Sequence, residues 1–107
     1  MASDSIWLAV VELCGELGPV ELRRSRWACK PALQLGGREI AHLEVPGRVD
    51  LRLTAKGWRA VASSYVDDPR VTRDPAQWDW IELTLAHRRD VDSLKPLFQQ
   101  AIAANGG

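Results

Sequence analysis

Apolar residues recur at helical spacing near both ends of the chain and alternate with polar ones in between. Ile6, Ala9, Val10, Leu13 and Leu17 predict an amphipathic helix over Asp4 to Leu17. Ser3 or Asp4 caps it, Gly18-Pro19 stops it, and Trp7 and Glu16 fall nearer its outer face. From Val20 to Leu53 the period is two. Val20 and Leu22 alternate with Glu21 and Arg23, Leu33 and Leu35 flank Gln34, and Gly36-Gly37 turns the chain.

Two further strands follow, with Ala41, Leu43 and Val45 on one face of the first and Val49, Leu51 and Leu53 on the same face of the second. A three-residue loop, Pro46-Gly47-Arg48, would pair Val45 with Val49, Leu43 with Leu51 and Ala41 with Leu53. The opposite face then sets His42 across from Arg52 and Glu44 across from Asp50. Thr54 caps a second helix to about Ser64, with Trp58, Val61, Ala62 and Tyr65 inward and Gly57 as a weak point. Val66 to Gln77 reads as a loop, and Trp78 to Leu85 as a last strand with Ile81, Leu83 and Leu85 inward. Val91, Leu94, Leu97, Phe98 and Ile102 carry a final helix starting near Asp92 or Ser93, which puts Pro96 in its first turns.

The order is α-β-β-β-β-α-β-α over a single domain spanning residues 1–107. Consecutive strands joined by short turns imply an α+β fold, a single antiparallel sheet of about five strands with three helices on one face.

Charge narrows the partners. Lys+Arg and Asp+Glu both number 14, so the chain lacks the basic excess that phosphate neutralisation demands. The local run Arg23, Arg24, Arg26 and Lys30 follows Glu12, Glu16 and Glu21 and reads as a solvated rim, so nucleic acid is not an expected partner. No leader or membrane-spanning run is visible, and a reduced cytoplasmic setting is expected. Cys14 and Cys29 are too far apart for a metal-binding pair and read as buried apolar residues.

Strand parity gathers His42, Glu44, Asp50, Arg52 and Glu82 on the sheet face away from the helices, with Trp78 and Trp80 beside them. Histidine titrates near neutrality and suits a general base; Glu44 or Asp50 would orient it, and Arg52 would hold an anionic oxygen. Trp78, Trp80 and Glu82 would bind a flat ligand or form a homodimer surface. The plainer alternative is a solvated face of cross-strand ion pairs, with the Val66 to Gln77 loop folded over the tryptophans. One histidine among carboxylates is a poor zinc set without another nitrogen or sulfur donor, so no metal and no cofactor are expected. His87 reads as an exposed loop histidine.

The stretch GREIAHLEVPGRVDLRL resembles the signature of the small bacterial luciferase-domain proteins, a family largely without assigned function. WDWIELTL and RDVDSLKPLFQQAI are similar to its later elements, so the likeness runs from about Ile6 to Ala103. Gly37, Glu39, His42, Asp50 and Trp78 stand where that pattern has related residues, while Glu44 stands where the family tends to have a second histidine. The domain looks related to fungal luciferases, which oxidise a polyphenolic pyrone. The resemblance therefore implies a small aromatic or phenolic ligand, towards which His42 would act as base; kinship of fold does not carry the chemistry itself. The element order is also similar to that of YjbR/MmcQ-like proteins, compared with double-wing DNA-binding modules.

Overall fold

The fold is that of a computed structural model, which describes residues 2–25 and 29–106, and their side chains from residue 5 onward. The chain runs α1 (Ala2–Leu17), β1 (Glu21–Arg24), β2 (Pro31–Leu35), β3 (Arg38–Val45), β4 (Arg48–Arg52), α2 (Thr54–Tyr65), β5 (Val71–Thr72), β6 (Trp80–Thr84), α3 (Arg88–Ser93) and α4 (Lys95–Gly106). The described residues form one antiparallel sheet of six strands, ordered β1-β2-β3-β4-β6-β5. This is the expected α+β layer with one more strand and one more helix. The added strand, β5, is two residues of the expected loop that pair with Leu83 and Glu82 of β6. The added helix arises because the final one is broken at Leu94, and α4 restarts with Pro96 in its first turn, where no amide proton is needed.

Core packing follows the parity of the strands. Leu33, Val49, Leu51, Leu83, Leu97 and Phe98 are fully buried, with α4 packed across β2, β3 and β4. In turn α1 packs on α3 and α4, and α2 packs on α4. Contact with two helices gives α1 a wider buried stripe than its spacing suggested, and Trp7, expected outward, is buried. Because α1 already begins at Ala2, Ser3 and Asp4, expected as its caps, lie within its first turn; Arg26 and Trp27 lie outside the described residues. Cys14 is buried, which pushes its thiol up to about 12. Cys29, expected inside, is exposed. At the sheet margin β1 buries none of its side chains, and Leu22 is exposed like its neighbours.

The β3–β4 hairpin differs in register from expectation. Ala41 faces Leu51, His42 faces Asp50 and Leu43 faces Val49, a slip of two positions. The turn is the reason. Pro46 and Gly47 alone connect the strands, with Gly47 at φ 81°, as a type II turn requires of its third residue. The spare residue is taken up as an irregularity between Leu43 and Val45, which leaves Val45, expected inward, exposed. A slip of two preserves every side chain's face, so the parity survives while the pairings change.

Asp79 joins the layers. Its carbonyl accepts the amide protons of Leu53 and Thr54, and its carboxylate accepts that of Ala55. The Thr54 hydroxyl accepts the Gly57 amide proton at 3.0 Å, giving the expected cap, although Thr54 sits at φ 67°.

A side chain at Gly47 would place Cβ 2.9 Å from the Leu85 carbonyl oxygen, in a backbone region that disfavours L residues. Gly47→Ala should therefore lose about 2 kcal/mol in urea unfolding. An unchanged midpoint would contradict the turn geometry.

Candidate functional site

Opposite the helices, the outer sheet face carries one rung of polar side chains: Thr72 on β5, Glu82 on β6, Asp50 on β4 and His42 on β3 are successive cross-strand partners. Partners on one rung point to the same side, so this arrangement follows from register alone.

An irregularity in β3 adds a residue that parity assigns to the other face. Where β2 passes from Leu33 to Gln34, the partner on β3 jumps from Ala41 to Glu39. Ile40 and Ala41 are then both buried, and Glu39 emerges beside His42. Three residues apart in a regular strand, the two side chains would point to opposite faces. Here Glu39 Oε2 lies 2.9 Å from His42 Nδ1 and accepts a second hydrogen bond, at 3.2 Å, from the Ser25 hydroxyl.

The other ring nitrogen is equally engaged. His42 Nε2 lies 2.8 Å from Asp50 Oδ2 and 3.3 Å from Glu44 Oε2. The second oxygen of Glu44, Oε1, meets Lys30 Nζ at 3.1 Å. The Glu39 carboxylate is only 8% exposed and the imidazole 17%, so these charges are largely withdrawn from water and depend on one another. The hydrogen bond to Asp50 is the largest influence raising the imidazole above its ordinary value of 6.5; burial opposes it, and the Asp50 charge and Glu39 add to the rise.

Trp80 stands against the histidine, ring centroids 5.3 Å apart and planes tilted by 47°. Together they bound a hollow of about 640 Å³, whose other walls include Glu44, Asp50, Ile81 and Glu82. On its rim Arg48 donates through Nε and Nη2 to Glu82 Oε1, at 2.8 and 2.6 Å.

The structure thus brings His42, Glu44, Asp50, Trp80 and Glu82 together. Arg52 lies apart, bonded to Asp79 at 3.1 Å and to Asn105, and it shares with Glu39 and Trp80 a neighbouring hollow of about 520 Å³. Trp78 is 66% exposed and lines neither hollow; the Arg73 guanidinium packs over it at 5.6 Å and over Trp58 at 5.9 Å. His87 is exposed ahead of α3, its amide proton bonded to Asp90. Within the basic run, Arg23 pairs with Glu21 and Lys30 with Glu44, while Arg26 lies outside the described residues.

Strand alternation alone missed Glu39 and Arg48. The signal for Glu39 is the apolar pair Ile40-Ala41, which interrupts alternation as a bulge does. Arg48 was assigned to a loop by the longer turn. No family model matches the chain, and neither a curated protein nor a solved structure does.

Ring-proton NMR should put the His42 midpoint above 6.5, and Asp50→Asn should lower it more than Glu39→Gln does. Because the folded pKa is raised, the stabilisation is complete below pH 6.5 and fades as pH rises through the folded midpoint. The stability gap between the parent and His42→Gln should therefore narrow as pH rises through that midpoint; a widening gap would contradict this assignment.

Proposed function

We propose that the outer sheet face binds a small planar aromatic or phenolic molecule, held against Trp80 with its hydroxyl directed to the polar wall around His42. The observation that carries this reading is the hollow itself, which has one aromatic wall and a dense set of hydrogen-bonding groups on another. Pockets that orient small molecules combine these features: an apolar surface for affinity and a few polar groups for orientation. Phenols suit the chemistry because each carboxylate here accepts a proton-bearing oxygen, while Arg48 on the rim offers donors to a second oxygen. The luciferase-domain resemblance implies the same ligand class. Under this proposal Asp50 and Glu44 hold the imidazole and receive the hydroxyl, Trp80 supplies stacking surface, and Glu82 positions Arg48.

Catechol and a 4-hydroxy-2-pyrone, titrated separately into labelled protein, should shift the Trp80 indole and His42 ring resonances saturably and leave Trp7 unmoved. Trp80→Ala should weaken binding about tenfold, in keeping with the loss of an aromatic contact. Saturable shifts centred elsewhere, or none at millimolar ligand, would overturn the reading.

A further inference from the structure

The three atoms that converge on the outer side of His42 are of different kinds: imidazole Nε2 and one oxygen each from Glu44 and Asp50, all within 4.8 Å of one another. The nitrogen distinguishes the set from an acidic surface patch. Its two measured edges are 2.8 Å from Nε2 to Asp50 and 3.3 Å from Nε2 to Glu44. A cation holding nitrogen and oxygen ligands at about 2.1 Å separates neighbouring ligand atoms by about 3.0 Å in octahedral geometry and about 3.4 Å in tetrahedral. The two measured edges lie within about 0.2 Å of those values, and the third, between the Glu44 and Asp50 oxygens, is at most 4.8 Å, so an ion can take the place of the Nε2 proton once the two carboxylates close on it.

The surrounding shell suits such an exchange. On the far side of the ring, Nδ1 lies 2.9 Å from the carboxylate of Glu39, which is 8% exposed and bonded to Ser25. A histidine that binds metal through one ring nitrogen commonly donates the other N–H to a carboxylate, which fixes the tautomer and strengthens the ligand. Glu44 keeps its second oxygen on Lys30, so its ligating oxygen stays aimed at the ring nitrogen. The charge balance also favours a cation. Among the described side chains named here, Glu39, Glu44, Asp50 and Glu82 bring four negative charges, against Lys30, Arg48 and the imidazole when it is protonated.

We infer that His42, Glu44 and Asp50 form a three-ligand site for a first-row divalent cation, with Glu39 as the positioning residue behind the histidine. One histidine among carboxylates is a poor zinc set by donor type, and it cannot make a closed four-ligand site of nitrogen and sulfur. Three protein ligands on the wall of a hollow describe an open site instead, with remaining positions available to water or ligand oxygen. One nitrogen and two oxygens suit zinc or manganese better than magnesium or calcium, which favour oxygen alone.

Zinc ion alone is the probe, in chelator-treated protein with no aromatic compound present, so the result is independent of the phenol titration. Calorimetry should show one saturable site, and nitrogen-detected NMR should show His42 Nε2 shifting with the same stoichiometry. Asp50→Asn, checked by circular dichroism for an intact fold, should weaken binding at least tenfold. Glu39→Gln, which leaves all three ligands in place, should weaken it about 10- to 100-fold and shift the His42 Nδ1 resonance. His87→Gln and Cys29→Ser should leave the affinity unchanged. The proposal is overturned if no saturable binding occurs up to millimolar zinc, if binding persists unchanged in Asp50→Asn, or if it disappears in Cys29→Ser or His87→Gln.

Discussion

The polar face depends on the contact between His42 on β3 and Asp50 on β4, which are direct cross-strand partners. That pairing is set several residues away, by a turn containing only Pro46 and Gly47 together with the irregularity between Leu43 and Val45, without which His42 would face Leu51. With a longer loop, His42 would face Arg52 and its Nε2 would meet a guanidinium instead of a carboxylate. The opposite charge would then act on the ring, and the accumulation of carboxylates around it would have no centre. A backbone preference at one glycine is therefore an electrostatic determinant of the whole face.

A second constraint acts through burial. The Glu39 carboxylate sits where water scarcely reaches, and a carboxylate in that position is stable only with charge or donors beside it. His42 and Ser25 stand beside it within hydrogen-bond distance, the imidazole through its Nδ1 side while its Nε2 side lines the hollow. These two sides have separate partners. Glu39 meets the ring from behind the hollow, whereas Asp50 and Glu44 meet it on the side that faces the hollow.

Much of the architecture was legible in the sequence because strand parity and helical spacing are strong, local signals. Leu33, Val49, Leu51 and Leu83 lie in the core where alternation put them, and the Thr54 hydroxyl caps α2 as its chemistry suggested. The faces of His42, Glu44, Asp50 and Trp80 were legible for the same reason, since a slip of two positions moves partners without reversing sides. What alternation could not supply was the exact partner. Register depends on turn length and bulges, and β3 has an irregularity on each side of His42. The first recruits Glu39, and the second turns Val45 outward. Trp78 was misjudged as Trp80's companion for a related reason: β6 begins only at Trp80, so parity has no meaning two residues earlier.

Asp79 gives Trp80 an unusual dependence. Because its carbonyl and carboxylate bind the start of α2, the residue just before the aromatic wall is tied to a helix in the opposite layer. The same carboxylate holds Arg52, which is also bonded to Asn105 near the end of α4. The ring that shapes the hollow is thus anchored from behind by two helices that never touch its contents. Trp80 is thereby placed by the seating of the helices on the sheet as well as by its own strand.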